Sequence, residues 1–153
     1  MNISIDILDG PLPAHRGTPG EPGAGAWLMF EGIVRGTEEG AAIEALEYQT
    51  YEPMAQQMLD QIARDVAARH GLIAIMVQHS RGRVGVGECS FRLLIQSAHR
   101  KPALAAMDEF IDRLKRDVPI WKSAVIGGAA HVIHPPMADM VRSGGSNPAN
   151  PMP

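Results

Sequence analysis

Hydrophobic and polar positions alternate from the start of the chain: Ile3, Ile5 and Ile7 are separated by Ser4 and Asp6 and preceded by Asn2. A period of two predicts a strand within Met1–Gly10 with one face buried. Pro11–Gly25 is crowded with proline and glycine, which disfavour a hydrogen-bonded ladder, so a mobile loop is expected there. Ala26–Val34 is mostly apolar and gives way to Arg35-Gly36 and the polar run Thr37-Glu38-Glu39-Gly40. That order predicts a buried strand and then an exposed turn, with Arg35 at the lip. Ile43–Tyr51 reads as a further strand with Leu46, Tyr48 and Thr50 on one face.

The period then changes. Met54, Met58, Ile62 and Val66 recur every fourth residue with Leu59 in the same stripe, Pro53 stands at the start and Gly71 follows. Proline suits a helix start because its missing N–H would have no intrahelical partner, and glycine suits the stop. An amphipathic helix with a core of Met54 and Met58 is expected. Leu72–His79 reads as a strand, Arg81–Gly87 as a glycine-spaced connection, and Glu88–Ala98 as a strand with Cys89, Phe91, Leu93 and Ile95 on one face. A second helix is expected from about Pro102, burying Leu104, Met107, Ile111 and Leu114 and ending before Pro119, whose ring excludes continued helical pairing. Ile120–Ile126 and Ala130–His134 read as short strands around Gly127-Gly128. The tail 135–153 is rich in proline, glycine, serine and asparagine, which predicts disorder. Strands and two helices without regular alternation predict an α+β fold, largely antiparallel, as one domain over residues 1–134.

Composition narrows the partners. The 153-residue chain carries a net charge of −3, so nothing draws it as a whole to nucleic acid or an anionic membrane. An anion site would need a local cluster of basic side chains. Cys89 is the single cysteine, which excludes an internal disulfide and suits a reducing compartment. No basic segment followed by an apolar stretch opens the chain, and no apolar run reaches spanning length. A soluble, cytoplasmic protein is expected.

Cations do gather at element ends, in Ile33-Val34-Arg35, His99-Arg100, Lys115-Arg116 and Trp121-Lys122. Lys115 follows Ile111 by one turn and so borders the apolar stripe, while Lys122 shares a strand face with Ile120 and Ala124. Two ammonium groups near one helix-to-strand corner repel, and partial burial acts in the same direction; both favour a neutral amine able to serve as base or nucleophile. Two surface lysines lying past Trp121 fit the same spacing. Arg35 and Arg100 offer planar forks for a phosphate, and His99 fits either a ligand contact or a structural role. His131 and His134 stand three apart, which on a strand sends their rings to opposite faces and argues against a metal site. Cys89 reads as an inert core thiol. Gly85-Val86-Gly87 opens no helix and is not a dinucleotide loop.

Five ordered segments resemble the large, catalytic subunit of molybdopterin synthase. They are Phe30-Glu31-Gly32-Ile33-Val34-Arg35, Leu46-Glu47-Tyr48-Gln49-Thr50-Tyr51-Glu52-Pro53-Met54-Ala55, His79-Ser80-Arg81-Gly82-Arg83-Val84, Ser97-Ala98-His99-Arg100, and Leu114-Lys115-Arg116-Asp117-Val118-Pro119-Ile120-Trp121-Lys122. The resemblance runs from about Ala26 to Lys122 and implies an α/β-hammerhead fold with an added antiparallel sheet. It implies a homodimer whose ends each bind a small ubiquitin-like sulfur-carrier subunit, giving a heterotetramer. The carrier's C-terminal Gly-Gly thiocarboxylate would pass sulfur to cyclic pyranopterin monophosphate, making a dithiolene with no cofactor or metal. By matching position, Lys115 would be the essential catalytic lysine and Lys122 its partner. Arg35, His99 and Arg100 would bind substrate, with the Ile33-Val34 backbone lining the pocket and His99 and Arg100 reaching across the dimer. The family's pattern places a basic residue and then a glutamate after the second lysine; Ser123 and Ala124 stand there instead. A non-catalytic paralogue that binds pterin or carrier is therefore the alternative.

Overall fold

The computed structural model describes residues 1–17 and 20–132. The predicted tail and His134 lie outside them. Among the described residues the chain runs β1 (Asn2–Asp9), β2 (Ala26–Ile33), β3 (Thr37–Glu38), β4 (Ala41–Ala42), β5 (Ala45–Thr50), α1 (Met54–His70), β6 (Ala74–Gly85), β7 (Cys89–Ser97), α2 (Arg100–Asp117), β8 (Ile120–Ile126) and β9 (Ala129–Val132). The α+β reading holds: strand pairs are antiparallel except β1 with β6.

Strand order is β2-β7-β6-β5-β8-β9, with β1 also paired to β6. β6 is the shared element. Its first part, Ala74–His79, lies between β1 and β7, and its last residues, Gly82–Gly85, pair with β5. The expected connection over Arg81–Gly87 is therefore corrected: it is strand as far as Gly85, and Val86-Gly87-Glu88 turn the chain into β7. The partner changes at Gly82, whose φ of +86° lies in the left-handed region that favours glycine.

Both helices cover the half of the sheet built on β1, β2, β6 and β7. Their main core joins Leu59, Ile62 and Val66 of α1 and Phe110 and Leu114 of α2 to Ile75, Val77, Leu93 and Ile95 of the sheet. The start of α1 is more open than its spacing suggests. Met54 is 47% exposed, and Ala55, Leu59, Ile62, Ala63 and Val66 form the buried stripe. Gly71 closes α1 in the left-handed conformation (φ 60°) and donates to the carbonyls of Ala67 and Ala68. The phase of α2 is likewise corrected. Ala103, Ala106, Phe110 and Leu114 face inward, Leu104 is 53% exposed, and Met107 and Ile111 flank the core.

A smaller core of Val34, Ile43, Leu46, Val84 and Ala124, edged by Tyr48, lies under the other half of the sheet. The loop after β1 is anchored at its start: Leu12 is buried and its amide donates to Cys89 O at 2.9 Å.

Phe110, fully buried against Phe91, sets the energetic weight of α2. Phe110→Ala is expected to cost about 3–5 kcal/mol in urea unfolding, and Leu104→Ala less than about 0.5 kcal/mol. Equal losses would contradict the observed helix phase.

Candidate active site

β2 ends at an irregular register between Gly32 and Ile33, and the chain leaves the sheet through Val34 and Arg35. Val34 is buried; its amide donates to Glu88 O (3.0 Å) and its carbonyl accepts from Gly87 N (2.8 Å). These bonds fix the lip, and they already engage the Val34 amide within the chain. Ile33 is 49% exposed. Beyond the lip, the expected turn is a small hairpin of β3 and β4, closed by Ile43 N donating to Gly36 O at 3.0 Å. Glu39 and Gly40 occupy its tip with φ of +49° and +81°, the pair of left-handed residues that a two-residue hairpin turn requires.

The hairpin brings Glu38 back over the sheet. One carboxylate oxygen of Glu38 lies 3.3 Å from Lys122 Nζ and 3.8 Å from Arg35 Nη2. Arg35 and Lys122 thus meet around a single acid. The side chains form layers, with Glu38 10% exposed, Lys122 28% and Arg35 77%. Sequence reasoning treated Glu38 as turn polarity and missed it, because a partner 84 residues away leaves no local signal. Lys122 thus has its own counter-charge, which its spacing along the chain did not reveal.

Lys115 occupies the last turn of α2, where its charge opposes the negative helix end favourably. It is exposed in the protomer, not half-buried along the apolar stripe as its spacing suggests. Among the described residues it has no ion-pair partner, whereas its neighbour Arg116 pairs with Asp117. α2 passes into β8 at Pro119, whose carbonyl accepts from Tyr51 N at 3.0 Å. Lys115 and Lys122 therefore flank one corner of the fold.

Tyr48 is directly opposite Lys122 in the β5–β8 register. Its hydroxyl donates to Ser90 Oγ at 2.9 Å, and its ring meets His79 edge-on at 5.3 Å. Burial raises the Tyr48 pKa, and the Glu38 charge adds to the rise. His79 is buried, and burial lowers its pKa, so the ring is neutral. Nδ1 lies 2.8 Å from the Ser80 carbonyl and must carry the proton, because a carbonyl only accepts. Tyr48 and His79 make a neutral floor under the charged group.

A second cationic cluster lies at the other end of β2. His99, Arg100 and Lys101 line an open cleft of about 580 Å³ with Gly25, Ala98 and Pro102. His99 is the extended N-cap of α2, and its amide donates to Ser97 Oγ at 3.5 Å. A Cβ on Gly25 would collide with the Ala98 carbonyl, so this approach of the two strand ends requires glycine. The first turn of α2 contains no acid, and its basic side chains stand against the positive helix end, an arrangement that an anion would relieve. Lys101 joins this cluster without having been singled out; the basic run was its only signal. Ala26 pairs with Ser97 and Ile33 with Cys89, which puts His99-Arg100 and Arg35 roughly 24 Å apart along the strand of a single protomer.

Among the described residues, no group of three or more His, Cys, Asp or Glu side chains is placed to hold a metal. Burial first, then Glu31, pushes the Cys89 thiol up to about 11.

A family profile described as MoaE protein matches residues 12–117. A molybdopterin synthase catalytic subunit of Aspergillus oryzae is 36% identical over 124 residues, covering 80% of this chain and 69% of that protein. Some relatives are longer, and the chain spans about half (52%) of the Coccidioides immitis molybdopterin synthase catalytic subunit. The crystal structure of molybdopterin synthase from Staphylococcus aureus superposes with a TM-score of 0.73 at 29% identity, covering 88% of this chain and 96% of that one. A complex of subunits 1 and 2 of molybdopterin-converting factor from Helicobacter pylori shares the fold with a TM-score of 0.70 at 24% identity, covering 90% and 97%.

At pH 8 the elevated Cys89 pKa leaves only about one thiol in a thousand as the reactive thiolate, inside a buried site. Iodoacetamide is expected to leave Cys89 unmodified in the folded protein and to alkylate it fully in guanidinium, as read by intact mass. Rapid labelling of the native chain would contradict this burial.

Proposed function

The chain belongs to the MoaE protein family, that of molybdopterin synthase catalytic subunits, and from that membership we propose how its own residues move sulfur. The substrates are a carrier protein ending in a Gly-Gly thiocarboxylate and cyclic pyranopterin monophosphate, both anions. An acidic chain can hold two anions together only where cations are concentrated locally. The observation that carries the proposal is the meeting of Arg35 and Lys122 around Glu38, at the corner where α2 delivers Lys115.

In this reading Arg35 grips the phosphate with its planar fork, and Lys122 offsets charge developing on the transferring sulfur and oxygen. Lys115 is the catalytic amine, acting as base or nucleophile at the thiocarboxylate. Ile33 and Val34 shape the wall. His99 and Arg100 cannot reach Arg35 within one protomer, so they serve the site of a second copy. β2 supports such pairing: it is an edge strand with Met29, Phe30 and Ile33 exposed. The working assembly is then a homodimer with a small carrier subunit at each end, a heterotetramer. Residues 1–134 form the catalytic domain. The cytoplasm is the proposed location; among the described residues no helix is long and apolar enough to cross a membrane.

Ala124 favours a second reading, a paralogue that binds pterin or carrier without turnover, because the family pattern puts a glutamate there. Reconstitution separates the two. Purified chain, thiocarboxylated carrier and cyclic pyranopterin monophosphate are expected to yield the dithiolene product. Lys115→Ala should lower turnover at least about 100-fold, and Arg35→Ala should chiefly raise KM for the pterin. Normal turnover by Lys115→Ala would end the proposed mechanism; carrier binding with no product from the unmodified chain would establish the paralogue.

A further inference from the structure

We propose that Glu38 is a positioning residue that holds Lys122, and through it the cationic wall of the site, taking the place of the acid missing at position 124. The inference rests on the reading of Lys122 as part of the sulfur-transfer site. It adds a residue from the β3–β4 hairpin.

Lys122 and Ala124 lie on the same face of β8, because side chains two apart on a strand point the same way. An acid at 124 would stand beside Lys122 from within its own strand. Here that position is a 4%-exposed alanine packed with Val34, Ile43, Leu46 and Val84. The acid comes instead from another element, the β3–β4 hairpin, whose left-handed Glu39-Gly40 tip fixes its reach. Glu38 Oε1 lies 3.3 Å from Lys122 Nζ.

Depth distinguishes a positioning acid from one occupying the substrate's place. A carboxylate lying in the mouth of the site, mimicking an anionic reactant, would be more exposed than the cations it bridges. Glu38 is the most buried of the three, at 10% against 28% for Lys122 and 77% for Arg35. It therefore backs the cations and leaves their outer faces open. A long lysine side chain otherwise samples many rotamers, and tethering its tip removes that freedom before substrate arrives.

The test uses the full chain and two kinds of readout. NMR relaxation of the Lys122 side-chain methylenes reports its order without any substrate. Steady-state kinetics with thiocarboxylated carrier and cyclic pyranopterin monophosphate separates kcat from KM. Glu38→Gln, which keeps shape and removes charge, and Glu38→Ala are expected to free the Lys122 side chain. They should lower kcat about 10- to 100-fold with little change in pterin KM. Glu38→Asp should restore part of both signals. An unchanged Lys122 order in folded Glu38→Ala overturns the proposal, whatever the activity. A lower KM with unchanged kcat overturns it too, since that would mark Glu38 as a competitor of the substrate. If the unmodified chain proves inactive, the sulfur-transfer reading fails while the relaxation data still decide whether Glu38 fixes Lys122.

Discussion

The pairing of one long strand with three partners is the constraint on which the rest of this fold depends. Backbone amides and carbonyls removed from water must be bonded, and β6 meets that demand by serving β1 and β7 along its first part and β5 along its last residues. This arrangement joins a helix-covered sheet to a second, smaller core in one continuous ladder. The join also determines where chemistry can lie. β5 holds β8 in register, β8 carries Lys122, and the hairpin after β2 folds over the same region. Without the β6 bridge, the helix end bearing Lys115 and the strand bearing Lys122 would belong to separate cores.

Much of this was legible in the sequence, and the failures have physical causes. Helix ends were clear because Gly71 and Pro119 act locally, through backbone conformation and a missing donor. β8 was read at its true bounds, Ile120–Ile126, because a proline and a glycine pair bracket it. β6 was cut short because its second half carries Arg81, Gly82 and Arg83, and nothing local reveals that β5 pairs there. In α2, Leu104 looked like core beside the small Ala103 and Ala106. The helix in fact buries the face that carries Ala103, Ala106, Phe110 and Leu114, and this phase turns Leu104 outward.

The candidate site was half visible. Arg35, His99, Arg100, Lys115 and Lys122 were all named from element ends and spacing, and the protomer divides them between two places. Arg35 and Lys122 meet toward one end of β2, Lys115 stands in the last turn of the helix that leads into the strand of Lys122, and His99 and Arg100 lie at the other end of β2. Spacing along a chain cannot show that division, because it depends on the direction of β2 in the sheet. Glu38 stayed invisible for a related reason. Its role comes from a tertiary contact across 84 residues, while its local setting is that of any polar turn.

Cys89 carries a consequence for a protein that handles activated sulfur. As the chain's sole cysteine, shut inside β7 with its proton held tightly, it gives the molecule no accessible thiolate. A thiocarboxylate docking here would meet amines and guanidinium groups but no competing sulfur nucleophile of the host. The thioester dead end, in which a host thiolate attacks the thiocarboxylate carbonyl and displaces sulfide, is thereby disfavoured.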